Sequence, residues 1–379
     1  MLDRYAVINC KLFRGAVRMT PDAFQALTYR LSTTNAFRSI SSFQCVQQQV
    51  AVGLYRLGQS GNGGGVCDVA FACGCSRGSV HVWTDRTIAG LYELNSEVVT
   101  FATEDERAKA KAWVADKSGV EEWSRGWLVV DGTHINLAWK PALNACKHYS
   151  YKGDYTFNIA LVFLPHSLHI VESVVGHPGS SHDVYTVGLY SNTAAAKSRD
   201  LHYFNYSLSH IHVKAEHGIA YLKNCFQCLM GFQGNLYQEE DHEKAAHTVQ
   251  ACIIAHTFAS HYDRPDEVAE YLKASETLSE AEVLETTSGM EAYQQATEDA
   301  RIQQRENQQQ YEQEQAAAME GMSQNQVQKF RQEKALDLRE EMLTALFASH
   351  GCPFEDTTAE SQRMGMTTLA FAKWQERQN

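Results

Sequence analysis

The stretch WLVVDGTHI at residues 127–135 decides the fold, because a short apolar run ends there at a carboxylate. Trp127–Val130 predicts a buried strand, and Asp131 with Gly132 predicts the turn that ends it. Two further strands and then a helix follow along the chain. They are predicted at Tyr155–Phe163, at His169–Val175 and from about Ser180 onwards. This order of elements indicates an α/β domain built on a mixed sheet flanked by helices.

Three acidic residues lie where a metal-dependent site would need them. Asp131 follows a buried strand, where α/β active sites form, although a plain Asp-Gly turn is the simpler explanation. Asp183 lies at the start of a predicted helix, where an N-cap role is the simpler explanation. Glu216 shares a helix face with Lys223, which suits either a cation beside a phosphate or a solvated ion pair. As a set, the three carboxylates predict a Mg²⁺ or Mn²⁺ site for phosphodiester hydrolysis.

The N-terminal region, residues 1–100, is predicted to be all helical and to contain a helix-turn-helix unit. A short helix at Val66–Ala72, the tight turn Cys73-Gly74-Cys75 and a second helix capped by Ser76 form this unit. The second helix would present four polar side chains to DNA. They are Arg77, Ser79, His81 and Arg86. Any small helical bundle would produce the same pattern.

The negative charge of the chain is carried by its C-terminal tail. The net charge of the 379 residues is −12, and residues 265–379 alone carry 22 acidic against 10 basic residues. The body is therefore neutral, so the overall charge does not exclude a protein that binds nucleic acid. The tail is rich in glutamine and poor in large apolar residues. It is predicted to be helical in parts, such as Leu336–Phe347, partly disordered and a solvated appendage.

Composition and cysteine usage indicate a globular protein of a reducing compartment. Apolar residues make up 44% and charged residues 21% of the chain, which excludes wholesale disorder. Ten cysteines are scattered among apolar segments, and Cys225 and Cys228 lack the second pair that a zinc site needs. The sequence shows neither a secretory leader nor a long apolar run, so we expect a soluble intracellular protein without a membrane partner.

The stretches that hold these residues resemble the nuclease domain of PIF/Harbinger-type DDE transposases and of the host proteins derived from them. The resemblance follows the family's order and, with the helix-turn-helix, covers residues 40–262. The matching stretches are WLVVDGTHI (127–135), HYSYKGDYTFNIALV (148–162), VESVVGHPGSSHDVYTV (171–187), FNYSLSHIHVKAEHGIAYLKNCFQCLMGF (204–232) and VQACIIAHTF (249–258). The form EHGIAYLK is similar to that of fungal members.

The resemblance implies an RNase H-like fold at residues 101–264, in which Asp131, Asp183 and Glu216 bind the divalent cation used to cut DNA. It places Lys152 and Lys223 where the family has basic residues that face DNA. It further implies a nuclear protein that acts on DNA, often with a separate Myb-like DNA-binding partner.

The chain departs from this family between Tyr190 and Phe204, where a family segment with two strands and a further site carboxylate is missing. Asp200 is the only acidic residue left in this segment. It lies sixteen residues before Glu216, which is too close in sequence for it to take the strand position of the missing carboxylate. A degenerate copy or an exon-boundary error would explain the gap, and weak or absent cleavage is expected. Two functions stay open, a metal-dependent nuclease or transposase and a non-catalytic DNA-binding protein, with an inert relic as the third reading.

Overall fold

The protein is mostly helical and contains one small sheet, which agrees with the predicted mixture of helices and strands. The structure is a computed structural model. It describes residues 9–38, 45–143, 145–150, 153–177, 187, 189–191, 195, 198–234, 236–263 and 324–350. None of the helices in these ranges is both long enough and apolar enough to cross a membrane.

Short helices make up the N-terminal region. They are α1 (Cys10–Val17), α2 (Pro21–Ser32), α3 (Val46–Leu57), α4 (Val66–Cys73), α5 (Arg77–Glu93) and α6 (Asn95–Val98). The start of α2 is set by Thr20, whose Oγ1 accepts a hydrogen bond from the Ala23 amide at 3.3 Å. Ser76 caps α5 in the same way, because its Oγ accepts from the Ser79 amide at 3.0 Å.

The helices α4 and α5 lie close to the bounds that the sequence predicts for a helix-turn-helix, but α4 extends one residue further, through Cys73. Gly74 ends α4 with a φ of 65°, a left-handed conformation that favours glycine, and α5 begins three residues later. The two helices pack against each other and against α3. The use of this unit to read DNA stays a prediction.

The sheet has the order β1-β2-β3, formed by Val129–Asn136, Thr156–Phe163 and Ile170–His177. Two details of the sequence prediction are wrong. The described strands pair antiparallel throughout, so this sheet is not mixed. In addition, β1 runs through Asp131 and Gly132, because Gly132 pairs with Ala160 in the ladder and the hydrogen bonds to β2 carry the strand onward.

Three long helices and one short helix of the described residues follow along the chain. They are α7 (Glu104–Ser118), the short α8 (Ala145–His148), α9 (Arg199–Cys225) and α10 (Glu239–Ser260). Helix α9 packs against β1 and β2, and α10 packs against β3. Alternate residues of β2, including Leu161, lie in the main core. Asp131 pairs with Leu161, and cross-strand partners share one face, so Asp131 lies on the face that α9 covers.

The described part of the tail is packed on the main core rather than solvated. Helix α11 (Gln324–His350) contains the predicted segment Leu336–Phe347 and extends it on both sides. Its Met342, Leu343, Leu346 and Phe347 are buried in the main core. The indole Nε1 of Trp123 donates to the Met342 carbonyl at 2.8 Å. Polar composition alone did not show this contact. Residues 265–323 and 351–379 of the predicted tail, to which part of the predicted disorder would belong, lie outside the described ranges.

Candidate metal centre

Asp131 of β1 is a carboxylate held in an environment that disfavours its charge. Its Oδ1 accepts a hydrogen bond from the Gly132 amide at 2.8 Å. Burial raises the pKa of Asp131 to about 8, and the negative charge of Glu216 acts in the same direction. A group shifted this far requires a proton or a cation to be stable at neutral pH.

Glu216 approaches Asp131 from the opposite side, on the stretch of α9 that lies over β1. It is half-buried, and burial raises its pKa to about 7. One ligand atom each of Asp131, Glu216 and His212 lies within 4.8 Å of the others. Sequence alone suggested that the two carboxylates belong to one site, and the structure brings them together at the junction of sheet and helix.

His212 is the member of this group that the sequence did not reveal. It precedes Glu216 by four residues, so the two side chains lie one turn apart on the same face of α9. The side chain is 7% exposed, and its Nε2 has no hydrogen-bond partner in the part of the chain that the structure describes. Burial lowers the pKa of His212 to about 4, so the imidazole is neutral at pH 7. The His-x-x-x-Glu spacing was the available signal.

The three side chains fit a divalent cation. Two carboxylates supply the oxygen ligands that Mg²⁺ and Mn²⁺ prefer, and a buried imidazole nitrogen without a partner supplies a third donor. Imidazole is a ligand of transition metals rather than of Mg²⁺, so the set favours Mn²⁺. A bound cation would also relieve the charge repulsion between Asp131 and Glu216.

Gly218 allows α9 to come close enough to the sheet for this arrangement. A Cβ atom at this position would meet three atoms of the Phe163 ring at 2.5–2.8 Å. Real contacts are not that short, and Phe163 is fully buried in the main core, so its ring has no free space to move into. The helix carries Glu216 two residues before this point, which ties the position of the carboxylate to the absence of a side chain at Gly218.

Gly218→Ala is therefore expected to destabilise the protein by about 1–3 kcal/mol, the usual cost of overpacking a core. Urea unfolding at pH 7 measures the change. Gly15→Ala is the matched control, because Gly15 also lies inside a helix but has no atom near the position of a Cβ. That control should gain about 0.5–1 kcal/mol from helix propensity. Equal effects of the two substitutions would contradict a close contact at Gly218.

Lys223 lies in the same region but binds the protein itself. Its Nζ donates to Thr133 Oγ1 at 2.7 Å and to the His134 carbonyl at 2.9 Å, so it links the end of α9 to β1. Its positive charge partly opposes the rise in the pKa of Asp131. The role of Lys223 in facing DNA stays a prediction, and in this structure the residue is half-buried.

Two of the predicted site residues, Asp183 and Lys152, lie outside the described ranges. Asp200, the acid in the shortened segment, lies in the first turn of α9. It is thus about 24 Å from Glu216 along the helix axis, at about 1.5 Å per residue. The two carboxylates cannot share one ion.

The four residues predicted to contact DNA from α5 differ in their surroundings. Arg77 and His81 are exposed. Ser79 Oγ lies 2.9 Å from Ser76 Oγ at the start of the helix. Arg86 is half-buried, and its Nη1 donates to Gln49 Oε1 at 2.8 Å, so it contributes to packing between α3 and α5. A role in DNA contact stays a prediction for all four.

Comparison with known proteins bears on the segment that holds α9. Residues 185–256 match a DDE superfamily endonuclease domain. The matched range contains His212, Glu216 and Lys223, whereas Asp131 and the three strands lie before it. Endonucleases of this superfamily generally use divalent metals. No curated protein and no solved structure is significantly similar to the chain.

Proposed function

We propose that this protein is a transposase-derived, metal-dependent endonuclease that hydrolyses phosphodiester bonds in DNA. One observation carries the proposal. Two desolvated carboxylates and a neutral imidazole converge within 4.8 Å, and two of the three lie in the segment that matches a DDE endonuclease. Structural ion pairs also shift pKa values, but here the positive charge of Lys223 opposes the rise in the pKa of Asp131 only in part, since that pKa stays raised to about 8.

The chain's own residues would hold and orient the reacting groups. Asp131, His212 and Glu216 are the proposed ligands of one Mg²⁺ or Mn²⁺ ion. When bound, such an ion polarises the phosphate and lowers the pKa of a coordinated water. Lys223 fixes β1 against α9 through Thr133 and the His134 carbonyl, which holds Asp131 and Glu216 in register. Burial of the carboxylates keeps bulk water away from them and so strengthens their hold on a cation.

We also propose a PIF/Harbinger-type origin, an RNase H-like arrangement of the sheet and helices, and action in the nucleus on DNA with a Myb-like partner. The resemblance of the stretches quoted in the sequence analysis supports these assignments. We further propose that Asp183 joins the site as a third carboxylate, because it stands in the family's matching motif. The helical N-terminal region is the proposed DNA-binding unit.

The proposal is tested by incubating supercoiled DNA with the full chain and either Mn²⁺ or Mg²⁺. We expect slow nicking that is faster with Mn²⁺, because of His212. Glu216→Gln keeps the shape of the side chain but removes its charge, and it should lower the rate by about a hundredfold or more, because a neutral amide holds the cation less well than a carboxylate. Glu243→Gln, an exposed glutamate on α10, is the matched control and should nick DNA like the wild type.

A second function, DNA binding without cleavage, is favoured by one specific observation. The described group contains only two carboxylates, and Asp200 is too far along α9 to provide another. This reading predicts salt-sensitive DNA binding, because phosphate contacts release counterions, with no nicking by either metal. Mobility-shift and nicking assays on one preparation separate the two. Binding without any metal-dependent nicking would contradict the nuclease proposal and support the second function.

A further inference from the structure

A second group of metal-ligating side chains lies away from Asp131 and Glu216, where three elements meet. Glu106 is in the first turn of α7, His169 directly precedes β3, and His261 directly follows α10. One ligand atom of each lies within 4.8 Å of the others. The two imidazole rings have centroids 4.5 Å apart. Nothing in the proposed nuclease site uses these residues.

Backbone carbonyls fix the proton on each imidazole. His169 Nε2 lies 3.3 Å from the Ser260 carbonyl, and His261 Nδ1 lies 2.7 Å from the Thr257 carbonyl. A carbonyl oxygen only accepts hydrogen bonds, so each of these ring nitrogens carries the hydrogen. The other nitrogen of each ring keeps a free lone pair. Histidine ligands of metals are held in this way, with one nitrogen bonded to a carbonyl and the other to the ion.

Glu106 offers one oxygen in the same manner. Its Oε2 accepts hydrogen bonds from the amide and hydroxyl of Thr103 at 2.9 and 2.8 Å, within a capping box. Its Oε1 lies 3.8 Å from His169 Nδ1, which is too long for a hydrogen bond. Although burial acts to raise it, the pKa of Glu106 is lowered by the bonds from Thr103 and by the nearby imidazoles, so the group is ionised.

We propose that Glu106, His169 and His261 bind a zinc ion, with water as the fourth ligand on the exposed side of His261. Two imidazoles and one carboxylate are a set that zinc proteins use with water in the fourth position. Ligand atoms around one zinc ion lie about 3.3 Å apart, given bond lengths of about 2.0 Å. The present separations therefore require shifts of about 1 Å, which the exposed His261 at the end of its helix permits.

This zinc site would join parts of the chain that are distant in sequence. It would link the start of α7 and the turn between β2 and β3 to the end of α10. The ion would thus act on stability rather than on phosphodiester chemistry. The alternative is that Glu106, His169 and His261 form a cluster beside the capping box without binding an ion. A zinc titration separates the two.

The test uses the full chain carrying Glu216→Gln, which disables the candidate site at Asp131 and so leaves the second group as the intended zinc site. After dialysis against a chelator, Zn²⁺ is titrated in competition with a chromophoric chelator, and one equivalent should bind. His261→Ala, His169→Ala and Glu106→Gln should each weaken binding at least about tenfold. Glu106→Gln retains a capping-box side chain, so its fold is preserved. His202→Ala, an exposed histidine on α9, is the control and should bind zinc normally.

A spectroscopic measurement identifies the ligands independently. Co²⁺ added in place of Zn²⁺ should give the visible absorption of a four-coordinate ion in the Glu216→Gln chain and in its His202→Ala derivative, but not in its His261→Ala derivative. Less than one equivalent of zinc, or binding that His261→Ala and Glu106→Gln leave unchanged, would overturn the proposal. Neither outcome depends on whether the protein cuts DNA.

Discussion

Mn²⁺ at one hundred times its dissociation constant is expected to stabilise the wild-type chain by about 2.7 kcal/mol, because the ion binds only the folded state. The effect follows from the geometry at Asp131, His212 and Glu216, whose ligand atoms lie within 4.8 Å only when α9 packs on β1. The unfolded chain has no such group. Thermal unfolding with and without the metal measures the effect as a rise in the midpoint of several degrees.

Asp131→Asn and Glu216→Gln should each abolish most of this rise, because each replaces a negatively charged ligand with a neutral amide. Glu243→Gln should leave it unchanged, since Glu243 is exposed on α10 and outside the group. The measurement is made with Mn²⁺ rather than Zn²⁺, because the proposed ligand set of Glu106, His169 and His261 selects zinc. An equal rise in the wild type and in Asp131→Asn would exclude Asp131 as a ligand.

Local features of the fold were predictable because their causes lie within a few residues. Thr20 and Ser76 cap helices in the structure, as the sequence predicts. An N-cap side chain accepts its hydrogen bond from an amide in the first turn of the same helix, so the contact is local. The strands β2 and β3 were found from apolar patterning. The extent of β1 was not, because the pairing of Gly132 with Ala160 on another strand overrides the turn preference of Asp-Gly.

The full set of residues at the candidate metal centre could not be predicted, because their grouping depends on contacts between segments that are distant in sequence. The chain has 16 histidines, and nothing in the sequence distinguishes His212 from the others except its spacing to Glu216. Its role becomes visible only when the register of β1 with β2 turns Asp131 towards α9. The burial of Met342 on the body is likewise non-local, because its partner Trp123 lies more than two hundred residues earlier.

Asp131→Asn is also expected to stabilise the metal-free protein at high pH, although it removes a proposed ligand. Burial, with the charge of Glu216, raises the pKa of Asp131 to about 8 in the folded state, against about 3.9 in an unfolded chain. Between these values the folded state holds the additional proton. Wild-type stability therefore falls as pH rises through this window, because the unfolded state releases the proton first.

The difference in the free energy of unfolding between the wild type and Asp131→Asn measures this pH dependence. His212 and His256 have pKa values that burial lowers to about 4 and about 3, so they add stability as pH rises towards about 6.5. Both histidines are present in wild type and variant, and Glu216, whose pKa is about 7, is shared as well. Subtracting the two free energies of unfolding at each pH therefore removes the contribution of His256 and leaves that of Asp131 together with its coupling to the neighbouring Glu216 and His212.

Urea unfolding in the presence of a chelator, from pH 5 to pH 8.5, is the measurement. The variant should exceed the wild type by a margin that grows with pH and reaches on the order of 2–5 kcal/mol at pH 8.5, at about 1.4 kcal/mol for each unit of pKa shift. The hydrogen bond from the Gly132 amide survives, because an asparagine oxygen accepts it equally well. Asp116→Asn, an exposed aspartate on α7, should follow the wild-type curve. A constant difference across the pH range would mean that Asp131 is ionised throughout, so that neither burial nor Glu216 disfavours its charge in the folded state.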